Sequence, residues 1–207
     1  MAVDMSLDII AAIFLFAFSS TITPGPNNIL LTSAGLNFGV RRCLGTAAGI
    51  YIGFPVMVIA VGLGLGALFS RFAIILQIMN IVGVLYLLYL AYLIATATPQ
   101  NLEQGSDARP PNFLQMALFQ WVNPKAWIMA TGAVATYVQP QIDPSMQVLI
   151  ISFIFFIVAI PCTMLWLAFG AKLKTWIGSP TSQRRFNRAM AGLLVLSLAP
   201  IVRNFFS

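Results

Sequence analysis

The chain has 207 residues, 59% hydrophobic and 8% charged, with mean hydropathy +0.91; soluble globular domains carry about 25% charged residues, so one is excluded and a polytopic membrane protein is indicated. A net charge of +6 does not point to nucleic acid, because the basic residues sit in short loops beside apolar runs, where membrane topology accounts for them. With no histidine, two cysteines, and acids only at Asp4, Asp8, Glu103, Asp107 and Asp143, neither a transition-metal cage nor the base and nucleophile of a hydrolytic enzyme is available, and no cofactor is called for.

Apolar runs of roughly 20 residues suit a helix crossing about 30 Å of hydrocarbon. Six are predicted. The N-terminus carries Asp4 and Asp8 rather than a basic region with a cleavage signal, so the first run, 7–36, reads as a retained span and not a signal peptide. It is interrupted by Thr23-Pro24-Gly25-Pro26-Asn27-Asn28, where Pro24 removes the helical partner of the Ser20 carbonyl and Pro26 that of Ile22. The second run, 44–69, follows Arg41 and Arg42 and carries Gly45, Gly49 and Gly53 on one face, a surface for close helix approach. That face serves either packing within one chain or a homodimer. Gly62, Gly64 and Gly66 lack the preceding strand of a phosphate loop and receive no nucleotide role. The third run, 72–97, lines up Tyr86, Tyr89 and Tyr92 along one side, for a pathway, an interfacial belt or packing.

A polar linker, 98–112, comes next. The fourth run, 113–137, is broken by Asn123-Pro124-Lys125, with Pro124 releasing the Gln120 carbonyl and Trp121 and Trp127 on either side. The fifth is 146–169 and the sixth 186–206, whose Arg188 and Arg203 are placed to snorkel to opposite interfaces. Cys43 and Cys162 fall at a loop edge and within the fifth run, which does not suggest a disulfide.

Charge tests the count. Loops after the first, third and fifth runs hold Arg41, Arg42, Arg109, Lys172, Lys174, Arg184, Arg185 and Arg188, against Arg71 and Arg203 opposite, so the positive-inside rule puts the 98–112 linker in the cytoplasm and both termini outside it. The linker separates 1–97 from 113–207, three spans each. An odd number per half inserts the halves in opposite senses, as in inverted-repeat transporters with discontinuous helices. The expected architecture is therefore an all-α membrane protein with six transmembrane helices in two inverted three-helix repeats, helices 1 and 4 broken.

Broken backbone survives at membrane depth only where protein or a polar cavity surrounds it. Beyond each break, Asn27 and Asn28, or Asn123 ahead of Pro124, can start a new half-helix whose N–H end suits a carboxylate; the carbonyls ending the preceding half suit an ammonium group or a cation. Together they fit an amino acid zwitterion, with plain proline kinks as the competing explanation. Pro24, Gly25, Pro26, Asn27, Asn28, Asn123, Pro124 and Lys125 are the candidate substrate-binding residues. Lys125, a charge near mid-membrane, is placed to attract a substrate carboxylate, to exchange a proton, or to cap local carbonyls.

The order Thr23-Pro24-Gly25-Pro26-Asn27, Gly39-Val40-Arg41-Arg42 with Gly45 and Gly49, Gly83 with Tyr86-Leu87-Leu88-Tyr89-Leu90, and Asn123-Pro124-Lys125-Ala126 resembles the lysine exporter (LysE) superfamily, in particular its homoserine/threonine-resistance (RhtB) branch. The resemblance implies a small bacterial inner-membrane amino acid exporter, driven by the proton motive force and often dimeric, with both termini periplasmic given the charge pattern. Carried over by position, the paired family motifs fall on Pro24 to Asn28 and Asn123 to Lys125. Ala91 stands where the family usually has glycine, and Thr136-Tyr137-Val138 where it usually has Pro-X-Phe. The function expected is a secondary transporter with alternating access, and the lack of an intramembrane carboxylate points to a neutral or small polar amino acid. Its partners are that solute, the proton and membrane lipid. The alternatives are a divalent-metal exporter of the same superfamily, which the missing ligands disfavour, and a non-transporting membrane scaffold.

Overall fold

The computed structural model describes residues 5–65, 73–97, 109–139, 143–177 and 179–199, and among them it is all-helical, without a strand. The predicted helical class holds. Helix α1, Leu7–Ile22, is capped by Ser6 and stops at the Pro-Gly-Pro segment; α2, Pro26–Phe38, restarts with Pro26 in its first turn and leaves at 53° to α1. A short tight turn, Arg41–Cys43, leads into α3, Leu44–Ala60, which widens over Val61–Leu65 and stops at Gly64, at φ +116°. Next come α4, Ala73–Thr96, and the short α5, Phe113–Val122, opened by a reciprocal cap between Asn112 and Gln115. After the Asn123 break α6 runs Pro124–Tyr137, followed by α7, Pro144–Trp176, and α8, Pro180–Leu196.

Three helical stretches are long and apolar enough to cross a membrane, Arg41–Leu65, Gln77–Thr96 and Pro144–Trp176, and α1 with α2 makes a fourth as a bent pair. Two expected boundaries move. The fifth run is expected to end at Phe169, yet α7 continues to Trp176, because residues 170–176 hold no proline or second glycine to stop a helix; Lys172 lays its ammonium over the Trp176 ring at 5.5 Å. The sixth was placed from residue 186, but α8 already begins at Pro180 because Ser179 caps it and proline suits a first helical turn. The residues beyond 199, including Arg203, lie outside the described residues, as do Arg71 and the body of the 98–112 linker.

The most enclosed element among the described residues is α2. Eleven of its thirteen residues are buried, including Asn28, Thr32, Ser33 and Asn37, so this helix is enclosed by protein all round and carries a polar stripe. Its main partner is α7, and the two cross where Gly35 lies on the Leu167 carbonyl and Gly170 on the Thr32 carbonyl, with no room for a Cβ at either. On α3, Gly49 and Gly53 press against the α5 backbone between Phe113 and Ala117. The glycine face read from the sequence is thus taken up within the chain. Two apolar clusters flank α2, one around Leu31, Leu87, Phe119 and Leu167, the other around Ile13, Phe54, Ala130 and Phe155.

Candidate functional site

At the first break both carbonyls that the prolines release have found a donor. The Ser20 carbonyl accepts from the Thr23 hydroxyl at 2.9 Å, Ile22 from the Trp166 indole at 3.1 Å, and Thr21 and Thr23 both from the Asn28 amide at 2.9 and 2.8 Å. Gly25 accepts the Ile29 N–H at 3.0 Å and caps α2 without any side chain. Asn27 and Asn28, expected as helix caps, have other work. Asn28 reaches back over the break, while Asn27 makes a reciprocal pair with Gln120, donating to its Oε1 at 2.9 Å and accepting from its Nε2 at 3.1 Å. At the second break the expectation for Asn123 holds: fully buried, it caps α6 by accepting the Lys125 N–H at 3.1 Å, with Pro124 in the first turn.

Lys125 joins the breaks. From α6 its Nζ donates to the Thr23 carbonyl at 2.8 Å, the Thr23 hydroxyl at 2.9 Å and the Pro24 carbonyl at 3.4 Å. Of the three roles left open for it, this geometry is that of a carbonyl cap, across 102 residues of sequence. Gly25 is buried against the same side chain, and a Cβ there would stand 2.8 Å from Lys125 Cδ.

All eight predicted residues therefore come together, and the space they leave is small. A cavity of about 30 Å³ is bordered by Gly25, Asn27, Asn28, Asn123 and Lys125, with Ser20, Thr21 and Thr163 adding hydroxyls. At about 10–15 Å³ per water it has room for two or three. Thr21 Oγ1 is the one buried side-chain oxygen or nitrogen without a partner among the described residues. A larger cavity, about 600 Å³, lies further along α2, against Leu30, Ser33, Ala34 and Asn37, with Tyr86 and Tyr89 of α4 and Arg109, Asn112 and Gln115 around it. On α5 Gln120 falls between the residues that border the two cavities, and its partner Asn27 itself borders the smaller one. At its other end α2 is tied to α8: Asn37 donates to Asn187 at 3.2 Å and accepts from Asn187 and Gln183 at 3.1 Å each.

Sequence reasoning missed Gln120, Trp166, Thr21 and the Asn37–Asn187–Gln183 cluster. Lone amides inside apolar runs are the signal that marks Gln120 and Asn37; nothing local marks Trp166. The tyrosines divide, Tyr86 packing on Phe119 at 5.9 Å and lining the larger cavity beside Tyr89, while Tyr92 is exposed. Trp121 and Trp127 pack edge to face, and Trp127 donates to the Trp121 carbonyl at 2.7 Å. Cys43 and Cys162 are both buried free thiols.

Compared with known proteins, residues 18–202 match the family model described as LysE type translocator. The chain is 26% identical over 199 residues to an uncharacterized membrane protein of Vibrio cholerae, covering 92% of this chain and 95% of that one. It is 24% identical over 189 residues to a homoserine/homoserine lactone efflux protein of Salmonella typhimurium, covering 88% and 92%. With a cysteine/O-acetylserine efflux protein of Escherichia coli K12 it shares 28% identity over 139 residues, 66% of this chain and 69% of the relative. No solved structure matches the chain.

Proposed function

The chain belongs to the LysE type translocator family, and from that membership we propose that it exports neutral or small polar amino acids across the bacterial inner membrane by alternating access, coupled to protons. The observation that carries this reading is the meeting of two proline breaks around one polar cavity, joined by Lys125 to Thr23 and Pro24 and by Asn27 to Gln120. A scaffold would need neither the breaks nor the unpaired Thr21 hydroxyl.

In this reading the substrate binds where the small cavity now lies, and the small volume belongs to a contracted state that must widen to take an amino acid. The larger cavity is the vestibule on the cytoplasmic side, because it opens beside Arg109 and at the end of α2 that leads to Arg41 and Arg42. The Asn27–Gln120 pair separates vestibule from site, and its parting admits substrate. Six spans in two inverted repeats give the motion, one repeat rocking on the other about the broken helices. Selectivity follows from charge: among the described residues the only carboxylates, Asp8 and Asp143, are exposed at helix starts, so a cationic side chain would find no partner at the breaks. The efflux relatives agree, being named for homoserine, its lactone, cysteine and O-acetylserine, none with a charged side chain.

Proteoliposomes loaded with a mixture of neutral, cationic and acidic amino acids test this. The expected result is selective loss of small neutral ones, faster under an imposed pH gradient. Loss of lysine or arginine alone would overturn the substrate class, and no loss from correctly inserted protein would overturn the exporter reading.

A further inference from the structure

Resting on the exporter reading, we infer that Lys125 is a tethered stand-in for the ammonium group of the substrate: it occupies the carbonyl seat at the first break, and substrate enters by displacing it.

The seat is built for a primary ammonium. A –NH3+ group has three donors and no acceptor, and the Thr23 carbonyl, Thr23 hydroxyl and Pro24 carbonyl supply three acceptors to one nitrogen at 2.8, 2.9 and 3.4 Å. Two of those acceptors are backbone carbonyls of the break itself, past the end of α1 at Ile22 and before α2 starts at Pro26, so neither belongs to a helical ladder. Such carbonyls carry the negative end of the α1 dipole, which favours a cation whether it arrives on a side chain or on a solute. The two cannot share it, because three donors already fill the seat and only about 30 Å³ lies beside it.

The surroundings show what the displaced state would offer. Thr21 Oγ1 is buried without a partner among the described residues, and Thr21 borders the same cavity as Gly25 and Lys125, a polar group open to an incoming solute. Beside the same cavity α2 begins at Gly25 without a side-chain cap, suited to the substrate carboxylate. Lys125 enters along Gly25, where the missing Cβ leaves its stem a path. Gly25 itself is fully extended, φ −179°, a conformation open to alanine, so that position excludes a methyl because of the lysine and not because of the backbone. The inference also narrows the substrate class to solutes with a free protonated primary amine, and N-acylated amino acids are predicted not to compete.

The test uses ethylammonium chloride as probe, against potassium chloride at equal ionic strength, with the purified full-length protein in detergent. Tryptophan fluorescence reads occupancy, since the Trp166 indole donates to Ile22 within the same break. Removal of a tethered competitor, whose effective concentration is on the order of millimolar or above, should tighten ethylammonium binding about tenfold or more in Lys125→Met. Gly25→Ala should do the same with the lysine still present, and covers the case in which Lys125→Met does not fold. Lys125→Arg should bind no tighter than the native protein. Equal affinity in native protein and both opened variants, or no ethylammonium binding in either variant, overturns the inference. Amino acid efflux measured in parallel separates the two failures. Native export with unchanged amine affinity removes the stand-in alone, whereas tighter amine binding without export keeps the ammonium seat and removes the exporter.

Discussion

Asn27 and Asn28 are neighbours in sequence with different consequences. Among the described residues Asn28 is the one donor to the Thr21 carbonyl, while the Thr23 carbonyl it also serves keeps Lys125, so its removal strands the half-buried Thr21 oxygen. An unsatisfied buried group costs about 1–3 kcal/mol. Asn27 bonds instead to a side chain, and interhelical side-chain bonds in membrane proteins average about 0.6 kcal/mol. Asn28→Ala should therefore lower the thermal unfolding midpoint in detergent clearly more than Asn27→Ala. The order should reverse for export rate in proteoliposomes at matched folded protein, where the Asn27–Gln120 pair lies on the path. A larger unfolding shift from Asn27→Ala would contradict the carbonyl accounting.

Among elements, α2 is the case where burial and polarity coincide. A helix enclosed on all sides is normally apolar, and the amides of α2 are tolerated because each finds a partner: Asn27 on α5, Asn28 at the end of α1, and Asn37 on α8 and its own backbone. Its crossing with α7 depends on Gly35 and Gly170 lying on opposing carbonyls. Overpacking of this kind costs about 1–3 kcal/mol. Gly35→Ala and Gly170→Ala should each reduce folded yield and unfolding temperature by that order. On α3 the glycines are graded: a methyl at Gly49 has no room against Phe113, whereas one at Gly45 would find its nearest neighbour at 3.9 Å. Gly45→Ala should be near neutral in the same melt and Gly49→Ala destabilising. Equal effects would mean that α5 does not lie on α3 as described.

For the molecule as a whole, the proposed alternating access requires the two broken spans to part and rejoin. Paired cysteines at Asn27→Cys and Gln120→Cys, bridged by oxidation or a short bifunctional reagent, should block efflux and regain it on reduction or cleavage. The native thiols add little background, both being buried. Efflux that continues at full rate in the bridged protein would show that these helices need not separate. Sidedness has its own readout: Gln115→Cys, exposed in the larger cavity, should react with a membrane-impermeant thiol reagent in inside-out vesicles and not in right-side-out ones. The opposite pattern would invert the proposed export path.

The positions of the breaks were written in the chain, because proline acts locally: it removes a donor from a carbonyl four residues back whatever the tertiary context. Membrane class followed from composition, and the Asn123 cap from residue type. The sequence by itself determined where carbonyls would be freed, and only the tertiary structure decided which groups would take them. Thr23 and Asn28 are near enough to be suspected from spacing; Trp166, 144 residues from Ile22, and Lys125, 102 from Thr23, are not. The physical reason is that a lone pair accepts from any donor brought within about 3 Å, and which donor arrives depends on how α7 and α6 pack on α1. Lys125 illustrates both halves of that rule. Its charge in an apolar run marked it as a candidate, and the fold placed its ammonium on the Thr23 and Pro24 carbonyls of the first break.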